Sequence, residues 1–552
     1  LSLLGGTAAA ARLAAQVPNA PPTFDVVIEG GRIVDGTGNA WYPGDVGIRG
    51  DRIVAITPRG MLRDADTKLR VDATGRVVSP GFIDIQSHSR YNFLAGGDGR
   101  VMSKVTMGVT TEVMGESTTN APVGEGYARD GESFAGPRAF DAWIRAMEEH
   151  GASVNFGSFV GATSIRVLGK GQAMGPANAT ELKIMKDAVA NAMEDGAFGI
   201  GSALIYPPGN FASTEELIEI NRAAAPFGGV YITHMRSEAD RFLEAIDEAI
   251  RIGTEAGVPV EIYHLKAGGQ RNWHKAAEAV AKIDSARAAG VDIQANMYPY
   301  TAGGTGLTAC FPPWASADGK LFANLADTGE RAKIRAEIEH QTTDWENLCD
   351  LATPEGVLLL GFDKPANRQY SGQRLSDVAA GLGKDWIETA FDLVLDERQR
   401  IGTIFFLMSE ENTAMQISQP WIKFGTDAGG LNGGGGLSHP RAYGTFTRVL
   451  GKYVREEGAT SLEEAVRKMS SAVATRLHIR DRGLLKEGFF ADVVVFDPAT
   501  VGDRATYEEP HQFSTGVDHV FVNGVAVVQD GQHTGALPGK AVRGPGWTGR
   551  RY

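Results

Sequence analysis

Cysteine is nearly absent from this chain. Two residues in 552, Cys310 and Cys349, exclude a disulfide-dense scaffold, and their spacing matches no metal-ligand pattern. Nothing in the sequence indicates that they pair. No stretch reaches the roughly 18 unbroken apolar residues of a membrane-spanning helix, and no low-complexity linker divides the chain. Positive charge is in deficit, with 54 Lys and Arg against 67 Asp and Glu and a net charge of −13. That balance argues against nucleic acid or an anionic membrane as a partner.

What remains is a globular composition, 43% hydrophobic and 22% charged, in a chain too long for one small domain. Seventy glycines suit a fold with many strand–helix crossings. The segment Leu1 to Val17 is rich in Ala and Leu and runs into Pro18-Asn19-Ala20-Pro21-Pro22. Residues 1–23 therefore read as a secretory signal or as an N-terminal helical extension, with an exported or periplasmic location favoured over a cytoplasmic one.

Residues 24–79 alternate apolar and polar side chains between turn signals. Val26 to Gly36 breaks at Gly30-Gly31 as a hairpin would, and Asp45 to Ile56 does so again. Residues 485–545 have the same texture, in Ala491 to Asp497 and His519 to Gly524. The two ends are expected to form one small composite β-domain.

The middle, residues 80–484, has a rhythm. Apolar strands end near Ser202, His234, His264 and Asn296, at spacings of 32, 30 and 32 residues, the length of one βα unit. Phe242, Ile246, Ala249 and Ile250 share one helical face that stops at Gly257-Val258-Pro259. Earlier strands fit Phe82–Ile85, Thr110–Met114 and Asn155–Val160, and a late one, Ile422–Gly425, leads to Asp427. Eight strands predict an α/β fold of the TIM (β/α)8 type. The stretch from about 303 to 420 is too long for one crossover and predicts an inserted lid with its own helices, such as Asp385–Leu395.

In such a barrel the site lies where strands end. The polar residues there are Gln86, His88, Glu116, His234, His264, Asn296 and Asp427. Two histidines from adjacent strands plus an acid suit Zn²⁺, and Asp427 is placed to move a proton. His150, His274, His340, His478, His511, His519 and His533 fall at no expected rim.

At these residues the chain resembles the amidohydrolase superfamily, and within it the D-aminoacylase (N-acyl-D-amino-acid deacylase) family. The motifs are Pro80-Gly81-Phe82-Ile83-Asp84, Gly108-Val109-Thr110-Thr111, Gly201-Ser202-Ala203, Thr233-His234-Met235-Arg236-Ser237-Glu238, His264-Leu265-Lys266, Tyr298-Pro299-Tyr300, Thr426-Asp427 and His439-Pro440-Arg441. The resemblance implies zinc and hydrolysis of an amide on a D-amino acid, a small-molecule substrate. It implies His234 and His264 as metal ligands and Asp427 as catalytic base. It places Lys266 and Tyr298 near the substrate carbonyl and Arg441 on the substrate carboxylate. A cyclic-amide or dipeptide hydrolase of the same superfamily, or a non-catalytic binding protein on this scaffold, stays open, and so does a homo-oligomer.

Two positions depart from the family. Its first metal-binding histidine is Gln86, and its metal-binding cysteine falls at Ser117, with Glu116 one residue earlier. Gln and Ser are weak zinc ligands, so Glu116 is the expected replacement, with His88 beside it. The expectation is one tight zinc site and a second that is weak or absent.

Overall fold

The computed structural model describes residues 23–129, 131–340 and 343–549; the signal-like segment lies outside them. A nine-stranded sheet takes strands from both ends of the chain. Phe24–Ile33 pairs with Tyr42–Arg49, which pairs with Arg52–Pro58, while Val493–Phe496 joins it through Val77–Pro80 and continues into Val517–Val522 and Val525–Gln529. Val493 and Val495 pack into the interior of this sheet with Ile28, Ile48 and Phe521. Val494 and Phe496 face the other way, into the large core beneath. Both faces of that strand are covered, which is why it is a continuous apolar run.

Gly30-Gly31 is not a hairpin turn. Phe24–Ile33 runs through it as one strand, with a register shift between Ile28 and Gly31 against Tyr42–Arg49. Gly30 has φ +72° and its N–H donates to Asp45 Oδ1 at 2.8 Å, so the glycine pair makes a bulge that a buried carboxylate caps. The second expected hairpin is present, with Arg49 opposite Arg52 across Gly50-Asp51.

The middle of the chain supplies parallel strands in two sheets. Phe82–Asp84, Val109–Met114 and Asn155–Ser158 form one. Val160–Gly161, Gly199–Ala203, Val230–His234, Val260–Ile262, Ile293–Met297 and Ile422–Phe424 form the other. One residue, Phe159, separates the two sheets along the chain. At the far edges the last strand's extension meets the first: Asp427 N–H donates to Gln86 O at 2.8 Å, and His88 N–H to Ala428 O at 3.1 Å. Helices return between strands. Phe242–Ala256 buries Phe242, Ala245, Ile246, Ala249 and Ile252 and ends on Gly257 in the left-handed region; Ile250 sits only half-buried at the edge of that face.

Between the last two parallel strands, Ala302–Gly306, Gly402–Phe406 and Val357–Leu359 make an antiparallel sheet. Helices pack on it around a core of its own, which includes Phe311, Leu325, Ile334, Phe391 and Val394. The helix expected over Asp385–Leu395 runs Trp386–Glu397, with Asp385 accepting the Glu388 N–H at 3.0 Å as its cap. Cys310 and Cys349, whose spacing does not indicate a pair, form a disulfide across 39 positions inside this insertion. Both are fully buried in its core, so burial side by side, not sequence spacing, brings the sulfurs together.

Candidate metal centre and active site

The strands of the middle region end sooner than their apolar runs. Val260–Ile262 stops two residues before His264, and Ile422–Phe424 three before Asp427. His264 (φ +33°) and Asp427 (φ +48°) both hold left-handed backbone, a conformation that costs a side-chain-bearing residue on the order of 1 kcal/mol and collects at functional sites. Glu116 follows Gly115, whose φ is +109° and where a Cβ would stand 2.3 Å from Phe159 O. Only glycine fits there, and it turns the chain so that Glu116 enters the centre. Gly425 has a parallel role: a Cβ would meet Gln86 Cβ at 2.8 Å, so its absence lets the chain after the last strand approach Gln86.

Two groups of ligand-type side chains converge here, and both contain Glu116. Glu116, His234 and His264 bring one donor atom each to within 4.8 Å of one another, as do His88, Glu116 and Asp427. Glu116 Oε1 lies 3.3 Å from His234 Nδ1 and 3.6 Å from His264 Nε2, while Oε2 lies 3.5 Å from His88 Nε2. Burial works against its charge, but these three histidines hold its carboxyl well below the usual range.

The first group is buried and braced. His264 Nδ1 lies 2.8 Å from Glu238 Oε1, and its backbone N–H donates to Asn296 Oδ1 at 3.0 Å. These contacts hold the ring with Nε2 facing Glu116. Glu238 also takes Lys266 Nζ at 2.6 Å. Desolvation opposes its ionisation, yet Lys266 and the two histidines keep it an anion. His234 Nε2 is buried without a hydrogen-bond partner, 3.5 Å from Glu238 Oε2. The other ring nitrogen, Nδ1, is the one that faces Glu116, and as a donor set two His with one Glu fit zinc.

The second group is more open. His88 has 43% of its side chain accessible, and its Nε2 lies 2.9 Å from Asp427 Oδ1. The burial penalty on its charge is outweighed by Asp427 and Glu116, which raise the imidazole to about 9. Asp427 Oδ2 meets Arg441 Nη1 at 2.7 Å. Desolvation would raise this carboxyl, but Arg441 holds it below its ordinary value, so it stays ionised and can accept a proton.

Arg441 is buried under Tyr298, its guanidinium 4.7 Å from the ring centre, and Nη2 donates to Gly304 O at 3.2 Å. The approach to Asp427 is an ion pair without hydrogen-bond alignment; Nε and Nη1 have no acceptor. His439 sets the residue's backbone: its Nε2–H donates to Ala302 O at 2.8 Å and its Nδ1 accepts the Arg441 N–H at 3.0 Å. Burial, then Arg441, push this imidazole well below its usual value, so it is neutral. Burial pushes the Tyr298 phenol far up, so it remains a donor.

Gln86 and Ser117 are engaged in side-chain hydrogen bonds beside the two groups. Gln86 donates Nε2–H to Glu116 Oε2 at 2.6 Å, and its Oε1 is buried without a partner. Ser117 Oγ is 3.0 Å from Thr163 Oγ1. Lys266 lies on Glu238 and His264 Nδ1 (2.7 Å) in this structure. Glu238 itself is a functional residue that strand-end reasoning passed over; its signal is a carboxylate four residues after a strand-terminal histidine. Glu116, Ser117, Glu238, His264 and Lys266 line a cavity of about 590 Å³, one wall of which the insertion supplies through Gly303, Thr305, Leu348, Arg400, Phe405 and Leu407.

Comparison with known proteins decides the family. The chain is 36% identical to the D-aminoacylase of Alcaligenes xylosoxydans xylosoxydans, over 93% of this chain and 97% of that one. The chain belongs to the D-aminoacylase family of amidohydrolases. Residues 371–528 match the amidohydrolase family on their own. A solved D-aminoacylase structure, described by the functional role of its binuclear metal centre with one-metal activation and second-metal attenuation, superposes with a TM-score of 0.78 at 32% identity, covering 94% of this chain and 100% of that one. The N-acyl-D-glutamate deacylase of Bordetella bronchiseptica, solved with zinc and a phosphonate mimic of the tetrahedral intermediate, gives 0.77 at 31% identity, covering 94% and 99%. Amidohydrolases of this kind are metal-dependent amide hydrolases, and this chain is one. Among the described residues no helix is long and apolar enough to cross a membrane.

Proposed function

We propose that the chain is a zinc-dependent deacylase of N-acyl-D-amino acids, with a tight metal site at Glu116, His234 and His264 and a weaker one at His88, Glu116 and Asp427. The two parallel sheets close into a (β/α)8 barrel through the Gln86–Asp427 and His88–Ala428 backbone bonds. Residues 80–484 form this hydrolase unit, 24–79 with 485–545 the small β-domain, and 303–420 a lid over the cavity. The observation that carries the reading is Glu116, whose two oxygens face two separate sets of donors.

A zinc ion at Glu116, His234 and His264 would polarise the amide carbonyl and acidify water. The rest falls to the chain's own side chains. Asp427, ionised and 2.9 Å from His88, takes the proton of the attacking water and hands it to the leaving amine. Arg441 carries buried N–H groups with no acceptor; a substrate carboxylate satisfies them bidentately. That engagement draws Arg441 away from Asp427 and raises its basicity only once substrate is seated. Tyr298, and Lys266 on release from Glu238, donate to the oxygen that becomes negative in the tetrahedral intermediate. Gln86 and Ser117 orient Glu116 and Thr163 and stand as weak donors to the second site.

The test is turnover of paired N-acetyl-D- and N-acetyl-L-amino acids before and after exhaustive chelation. D-selective hydrolysis that disappears with the metal and returns with zinc is expected. Equal turnover of both enantiomers, or activity that survives chelation, contradicts the reading.

A further inference from the structure

Four cationic side chains line the cavity: Arg90, Lys266, Arg400 and Arg441. Two of them face carboxylates, Lys266 on Glu238 at 2.6 Å and Arg441 on Asp427 at 2.7 Å. A third, Arg90, is tied through Nη1 to the Thr118 carbonyl and to Thr118 Oγ1 at 2.9 Å. Arg400, like Arg90, has no ion pair with a described residue, but its single hydrogen bond, from Nη2 to Thr305 Oγ1 at 2.5 Å, ties it to the strand that also holds Arg441. A guanidinium has five N–H donors, so most of Arg400's capacity is unspent on an exposed side chain that lines the cavity.

Its position is defined. The guanidinium lies 5.6 Å from the Tyr206 ring centre, and that ring meets His234 edge-on at 5.3 Å. One aromatic ring therefore separates Arg400 from the metal group. Arg441 holds Gly304 O and Arg400 holds Thr305 Oγ1, so the two guanidiniums are tethered at adjacent residues of the strand Ala302–Gly306. A molecule with its reacting amide at His234 and one carboxylate on Arg441 has a second cation within reach.

We propose that Arg400 is a second anion subsite, and that the preferred substrate carries two carboxylates. This rests on the deacylase reading and names its substrate class. One carboxylate is the α-carboxylate of the D-amino acid, held by Arg441. The other sits on Arg400 and belongs either to the amino acid's side chain or to the acyl group. Its hydrogen bonds to a fixed cation are charge-assisted and planar, which a neutral amide or methyl at the same place does not reproduce.

Two matched pairs distinguish the sources: N-acetyl-D-glutamate against N-acetyl-D-glutamine, and N-succinyl-D-leucine against N-butyryl-D-leucine. In at least one pair the wild-type enzyme favours the charged member by about 10- to 100-fold in kcat/KM, and that pair names the source. Arg400→Met brings the ratio to near one, mostly through KM, and leaves the neutral substrates within about threefold. Arg400→Lys restores part of the ratio. Thr305→Val, which removes only the tether, shifts it the same way by less. Neutral members hydrolysed as well as charged ones in both pairs overturn the proposal, as does an equal loss on both members in Arg400→Met. Those results leave the deacylase reading standing; no turnover of any of the four substrates overturns both.

Discussion

Glu116 divides the centre into two halves that look alike by residue type and differ in support. His234 and His264 are buried, and His264 is fixed from behind by Glu238 and Asn296. His88 is open along one side, and its partner Asp427 is already engaged by Arg441. A ligand gains affinity from being held in its binding geometry before the ion arrives. The first half has that support and the second does not. In the second half the carboxylate of Asp427 is shared between His88 and Arg441.

The comparison breaks most completely at the shared residue. Glu116→Ala removes a donor from both halves and leaves three histidines facing one another, and kcat/KM is expected to fall by about a thousandfold or more, with metal content dropping below one equivalent. Retention of wild-type metal content would show that the halves do not depend on a common carboxylate. Glu238→Gln separates support from ligation. It leaves all three donors of the first half in place, yet zinc affinity should weaken by about 10- to 100-fold, as measured by competition with a chromogenic chelator. An unchanged affinity would mean that His264 needs no orienting partner.

The candidate ligands were legible in the sequence because they stand at strand ends: His234 closes its strand, His264 follows the next at the spacing of a βα unit, and Asp427 follows the last parallel strand beyond the long insertion. The family motifs carried Arg441, Lys266 and Tyr298. Contacts between residues distant in sequence were not legible. Glu238 stands beyond its strand end, and only the fold shows that its carboxylate doubles back onto His264. Arg400 lies more than 90 residues from Thr305 and in no motif. Gln86 reads in the sequence as a weak zinc ligand; that its amide N–H donates to Glu116 is visible only in the fold. The Gly30-Gly31 pair reads as a turn locally, because a bulge and a hairpin ask for the same residues.

Gln86→His sharpens the contrast from the weaker side. It exchanges a donor to Glu116 for a ligand, and occupancy of the second half should rise toward one added equivalent at saturating zinc, read by elemental analysis. Unchanged occupancy would place the weakness of that half in the Asp427–Arg441 pair instead.

The smallest effect lies outside the donors. Glu346, from the insertion, accepts from Ser237 Oγ at 2.7 Å and from the Glu238 N–H. Burial, then the neighbouring charge of Glu238, raise its carboxyl to about 7 from an ordinary 4.5. The folded state therefore binds a proton more tightly than the unfolded chain, and stability falls as pH rises from about 4.5 to 7. Glu346→Gln should flatten that slope by about 1–2 kcal/mol in denaturant titrations. A slope equal to wild type would mean that the carboxyl is ionised throughout.

Metal stoichiometry of two single variants tests the account most directly. His88→Ala should keep one tightly bound zinc per chain after gel filtration, because Glu116, His234 and His264 hold it without help. His264→Ala should purify with well under one. Full occupancy in His264→Ala, or loss of all zinc in His88→Ala, would contradict the division of the centre into a braced half and an open one.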